Sequence, residues 1–303
     1  MKRRTTIAAL ALALALALLF NARPGSAQTG DRALSPEEIR ALVARAVANQ
    51  RRNDAALEEY ERVERRQLRK SQSGTSRAED KTFRVVPTGS GTERVQTEER
   101  GQPVDAEFYR GQLRNLEQAL VGSLNPAGAR QSQRVANAAK RSREHAEMLD
   151  AVGSAFRFTW LGREARNGRT LVKLHLEPSP DYKPASRITS LLAAVRATAW
   201  LDEAAGQMVR IEAELARDIP FGGGLLGKAY RGARLVMEQA EIAPGVWLPT
   251  RFDYNLTGRK FLFVFEVHEL TEASHYRRIG PPREALLVIR RELGGTAASR
   301  SDR

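Results

Sequence analysis

The sequence predicts an α+β protein built on a large curved antiparallel sheet of about ten strands, with helices packed on its apolar face. Three observations predict it. A capped amphipathic helix opens the region after residue 35, and segments alternating apolar with polar residues fill most of the second half. The third is the complete absence of cysteine in 303 residues, so burial rather than disulfides must hold the fold. Strict alternation in consecutive strands gives a sheet with one apolar and one wet face, and the apolar face must be covered.

The chain begins with Lys2, Arg3 and Arg4, an apolar run from Ile7 to Phe20, and the small residues Gly25-Ser26-Ala27. This order reads as a secretory signal peptide over residues 1–27, too short in its apolar part to span a bilayer of about 20 residues' thickness. Residues 28–34 are a polar leader. Removal of the signal takes away four basic residues and no acid, so the net charge of +13 falls to +9. In an exported protein that charge points to an anionic membrane surface as a partner, rather than to nucleic acid. The expected location is periplasmic, soluble or peripherally attached to a membrane.

Ser35-Pro36-Glu37-Glu38 supplies an N-cap, a proline at the first helical position and a capping-box glutamate. Ile39, Leu42, Val43, Ala46 and Val47 then mark one face of a helix to about Arg52. From Leu57 to Glu99, Ser71-Gln72-Ser73-Gly74 and Thr88-Gly89-Ser90-Gly91 separate three strands joined as two hairpins. Residues 105–150 are helical in composition, an insertion broken at Asn125-Pro126-Ala127-Gly128. The second of these helices offers only Val135, Ala138, Ala139 and Leu149 as a face, which suits a loosely held lid. Further strands follow: Phe156 to Trp160, Leu171 to Leu176, a strand ending at Trp200, Val209 to Leu215, Ala233 to Met237, Val246 to Tyr254, and Phe261 to His268. The main domain is expected to span residues 35–282. Residues 283–303 are expected to form a further strand or a tail with a disordered end.

Gly222, Gly223, Gly224, Leu225, Leu226, Gly227 and Lys228 match G-x-x-x-x-G-K, the start of a phosphate-binding loop. The match fails on chemistry. Position 229 is Ala where a magnesium-binding hydroxyl belongs, and a strand pattern rather than a helix follows. The stretch reads as a flexible glycine-rich connection between sheet strands, with no nucleotide expected. His145, His175, His268 and His275 have no metal-ligand spacing, and no nucleophile motif occurs, so no catalytic residue, metal or cofactor is assigned.

The informative feature is the apolar face itself. Leu174, Ile211, Leu215, Leu235, Phe252, Phe263 and Phe265 are expected to line it. They form either a filled core under the helices or a pocket for acyl chains, whose transfer needs only apolar area at about 0.8 kcal/mol per methylene.

In outline, residues 35–276 resemble the LolA-like superfamily of periplasmic lipoprotein carriers, lipid-binding relatives and envelope-stress sensors. Trp200-Leu201-Asp202 before a turn, Val209-Arg210-Ile211-Glu212 after it, and Trp247-Leu248-Pro249-Thr250-Arg251 carry the resemblance. It implies an unclosed β-barrel with a helical lid over an apolar cavity, a lipid or lipidated protein as partner, and no enzymatic activity. The alternative is an envelope regulator or scaffold with a filled core and a partner-binding basic surface.

Overall fold

The computed structural model describes residues 32–72, 74–126, 128–221 and 227–301. The segment 1–27, read above as a signal peptide, and residues 222–226 of the glycine-rich stretch lie outside them. Among the described residues there are thirteen strands, all paired antiparallel, and four α-helices. The helices are α1 (Pro36–Leu57), α2 (Ala106–Leu124), α3 (Ala129–Ala155) and α4 (Pro282–Ser301). The strands are β1 (Tyr60–Gln72), β2 (Thr75–Pro87), β3 (Thr92–Glu99), β4 (Gln102–Pro103), β5 (Phe156–Arg166), β6 (Arg169–Pro178) and β7 (Val195–Asp202). Then come β8 (Gln207–Leu215), β9 (Ile219–Phe221), β10 (Gly227–Ala229), β11 (Arg234–Ala243), β12 (Val246–Lys260) and β13 (Phe263–Arg278). A 3₁₀ turn, Thr189–Ala194, precedes β7.

The main path through the sheet runs β4-β3-β2-β1-β13-β12-β11-β8-β7-β6-β5 and does not close. The hairpin β9–β10 continues the line of β11 along the outer half of β12. The three short strands explain the excess over ten: segments of two or three residues are too brief to show alternation.

Capping follows the local chemistry. The Ser35 hydroxyl accepts from the Glu38 N–H at 3.2 Å while Glu38 accepts from the Ser35 N–H at 2.7 Å. Such a reciprocal cap is worth about 1 kcal/mol. Asp105 accepts from the Glu107 and Phe108 N–H groups to start α2, and this holds its carboxyl below its ordinary pKa. The break at Asn125-Pro126 separates α2 from α3 as its composition requires.

Two cores result. In the larger, Ile39, Leu42, Val43 and Ala46 of α1 pack on Leu174, Ala199, Ala213, Leu215 and Leu235 of the sheet. The α1 helix is fixed at its far end by polar contacts: Asn53 bonds the Gln207 side chain and the Trp247 N–H, and Asn49 bonds the Gly206 carbonyl. In the smaller core, Leu113, Leu116 and Leu120 of α2 and Ala285, Leu286 and Ile289 of α4 meet Val86 and Val95. The pairing of Val95 with Arg84 and Val63 places this contact on the face opposite to the one α1 covers. An ion network centred on the buried Arg84–Glu61 pair closes it: Arg84 bonds Glu61 and Glu292, and the exposed Arg277 bonds Glu61.

One expectation is corrected here. Residues 282–301 are a helix, not a strand or tail. Ala285, Leu286 and Ile289 recur at helical spacing and are buried, and Pro281-Pro282 with Glu284 are a start signal.

Candidate functional site

The register sorts the predicted residues onto one face and shows what covers them. A first row crosses the sheet through Trp160, Leu174, Ala199, Ile211, Met237, Phe252, Thr271 and Arg66, each paired with the next. This row starts under α1 and α3 and ends at the half-buried Arg66. Leu174, Leu215 and Leu235 are packed core, with 0%, 2% and 3% exposure. Ile211 and Phe252 pack at the edge of that core. Phe263 and Phe265 share the face but belong to neither core, because they lie near the free end of the β12–β13 hairpin. Phe265 pairs with Gly258, where a Cβ would come within 2.8 Å of its ring and 2.6 Å of the Lys228 carbonyl. The glycine lets the ring lie flat across the backbone.

Moving outward along β12, the rows stay half-buried as far as the buried Gly258, and cover is lost only at the hairpin end, from Lys260 to Val264. Tyr254 pairs with Glu269 and Glu269 with Leu68; Leu256 pairs with Val267 and Val267 with Lys70; Gly258 pairs with Phe265 and Phe265 with Gln72. At the boundary between covered and open sheet stands a charged triad. Arg66 Nη2 lies 2.6 Å from Glu269 Oε2, and the Tyr254 hydroxyl donates to the same oxygen at 3.2 Å. Burial disfavours the charge on Arg66, but the Glu269 carboxylate outweighs it and holds the guanidinium pKa above its ordinary value. Burial first, and then the Glu269 charge, push the Tyr254 phenol upward, so it remains a donor at neutral pH. The Phe252 ring meets the Tyr254 ring edge-on at 5.7 Å between centroids.

Beyond the triad the face opens into a groove of about 370 Å³ lined by Lys70, Gln72, Thr75, Arg77 and Phe263. It combines an exposed aromatic ring with Lys70 and with Arg77, whose Nε lies 2.7 Å from Glu79 Oε1, so Lys70 is the cation left for an anionic end of an amphiphile. Phe263, one of the residues expected on the apolar face, lines this groove. Sequence reasoning missed Lys70 and Arg77, because only the pairing of β1 with β2 and β13 sets them beside that ring.

Two other grooves are more polar. One of about 620 Å³ runs along Arg169, Thr170, Asp202 and Glu203. Its charges are already engaged: Arg169 bonds Asp202 and Glu241, and Arg163 grips Glu203. The other, about 380 Å³, lies between Arg277, Arg278 and the Leu287 and Arg291 side of α4.

The last two residues of the phosphate-loop match belong to the sheet. Gly227 and Lys228, expected in a flexible connection, form β10 on the outer half of β12. Lys228 pairs with Asp218 at 2.7 Å instead of opening a helix. Among the described residues, no cluster of three or more His, Cys, Asp or Glu side chains is placed to hold a metal. No described helix is long and apolar enough to cross a membrane.

No family model matches the chain, and no curated protein matches it. Among solved structures it is similar to a domain from Vibrio parahaemolyticus assigned to outer membrane lipoprotein sorting, with 12% identity over 78% of this chain and 92% of that one, at a TM-score of 0.28. A DUF1329 family protein from Desulfovibrio piger is similar at 12% identity over 80% and 93%, TM-score 0.27. A LolA superfamily protein from Nitrosomonas europaea follows at 10% identity over 78% and 91%, TM-score 0.25. With TM-scores this low, the functional reading rests on the geometry of the chain itself.

Proposed function

We propose that this is an exported, non-enzymatic binding protein of the cell envelope that holds a lipid acyl chain, or the acyl chain of a lipidated protein, for transport. The observation that carries this reading is the continuation of the apolar face past its helices. Phe252, Leu256, Val267, Phe265 and Phe263 extend it from the packed core to the open groove at Lys70 and Arg77. An acyl chain laid along that strip gains about 0.8 kcal/mol per buried methylene, and Lys70 suits an anionic headgroup. The α3 helix packs on α1, the 3₁₀ turn and β5 at the covered end of the face, where Met148 and Ala155 are its buried apolar residues.

A second reading is favoured by a different observation, the tight packing of Leu174, Leu215 and Leu235 beneath α1. A filled interior suits an envelope regulator or scaffold that binds a protein through its basic surface. Native mass spectrometry of protein purified from a periplasmic fraction, with organic extraction of bound material, separates the two. A co-purifying species of lipid mass supports the carrier. An apo mass that is unchanged after incubation with envelope lipids supports the scaffold.

A further inference from the structure

The β12–β13 hairpin closes through a two-residue turn, Phe261-Leu262, between the paired Lys260 and Phe263. Phe261 has φ of 54°, a left-handed conformation that tight hairpin turns ordinarily give to Asn or Gly. The turn therefore accepts backbone strain to place a large apolar side chain where solvent would favour a small polar one. Leu262 is 85% exposed, Phe261 54%, and Phe263 and Val264 53% each. Phe263 and Val264 are successive strand residues, so they stand on opposite faces of the ribbon. Four consecutive apolar side chains thus surround the end of a hairpin, and neither core includes any of them.

The charges near this tip are mainly basic. Arg259 and Lys260 lead into it, and Lys70 and Arg77 line the groove beside Phe263. Of the nearby acids, Glu79 is engaged by Arg77 and Arg66, and Asp218 by Lys228; Glu266 remains. Lys70 and Lys260 make no ion pair among the described residues.

We propose that this tip is a membrane-docking wedge. Phe261, Leu262, Phe263 and Val264 enter the boundary between headgroups and acyl chains, while Lys70, Arg77 and Lys260 stay at the level of anionic lipid phosphates. The shape favours a bilayer over a protein partner. Apolar groups radiating around a ribbon end present no flat patch for a folded surface, whereas a fluid interface accommodates them from every side. Long cationic stems can lie along apolar surface and keep their heads in the polar layer. The inference goes beyond cargo binding, since a protein can dock in this way whether or not it carries a lipid.

The test is co-sedimentation of the purified protein with phosphatidylcholine vesicles, with and without phosphatidylglycerol. Binding to the anionic vesicles is expected, weakening as salt is raised. Phe261→Gly combined with Leu262→Asn puts glycine at the turn's left-handed position and removes both apolar side chains, so the fold is retained, and partitioning should fall at least tenfold. Lys70→Glu with Lys260→Glu should remove the preference for anionic over neutral vesicles. Native mass spectrometry of the turn variant reads cargo separately, so loss of docking with cargo retained distinguishes this inference from the carrier reading. Unchanged partitioning of the turn variant, no binding of the parent to either vesicle, or tip-dependent self-association by light scattering without vesicle binding would each overturn the proposal.

Discussion

His145 Nε2 on α3 and Asp54 Oδ2 near the end of α1 are 2.8 Å apart, and the pair clips one helix to the other. Arg51 and Asp150 form a second ion pair between the same helices. The Asp54 hydrogen bond outweighs burial and raises the His145 pKa above its ordinary 6.5. A raised folded-state value means the stabilisation is full below the unfolded pKa and is lost as pH rises through the folded one. We expect hydrogen exchange in α3, corrected for intrinsic rates, to speed up as pH rises through the raised His145 pKa, above the ordinary 6.5, while the sheet stays protected. His145→Ala should exchange fast at every pH. A pH-independent α3 in the parent protein would show that the clip is not what holds it.

The Glu61 carboxylate accepts from Arg84 at 2.8 Å and from Arg277 at 2.6 Å, and Arg84 also reaches Glu292 on α4. Glu61→Ala leaves a largely buried guanidinium with half its partners. The expected loss is about 3 kcal/mol, or roughly 6–12 °C in Tm for a chain of this size. Circular dichroism melts read it. Glu61→Gln should recover part of the loss, as it keeps an acceptor oxygen. A melt unchanged by the alanine would mean the network contributes nothing net.

Leu174 and Phe263 share a face but differ in cover, and the difference separates core from site. Leu174→Ala should cost about 3 kcal/mol by transfer and cavity terms. Phe263→Asp, at a half-exposed position, should change stability by no more than about 0.5 kcal/mol. It should nevertheless abolish loading of a fluorescent fatty acid. A folded Phe263→Asp protein that loads as the parent does would rule out the outer groove as the acyl site.

The fold class was legible because its determinants are local. The Ser35-Pro36-Glu37-Glu38 cap, the break at Asn125-Pro126 and the alternation of Val209 to Leu215 each act over a few residues. The α4 helix carried an equally local signal in Pro282, Glu284, Ala285 and Ile289, hidden only by the small polar residues that follow it. The pair His145–Asp54 and the triad Arg66–Glu269–Tyr254 had no such signal, since 91 residues separate the first two and 203 separate Arg66 from Glu269.

Alternation set which residues within each strand share a face, as Ile211 with Leu215 and Phe263 with Phe265, because side chains on a strand have a period of two, and the register joined those faces across the sheet. Whether each is core or surface was decided by the tertiary structure. The helices reach only part of the sheet, so Leu174 lies under α1 while Phe263, equally apolar and in phase with it, stands in water beside Lys70 and Arg77. Burial depends on what the rest of the chain brings over a residue, and strand order sets that across separations that no local pattern encodes.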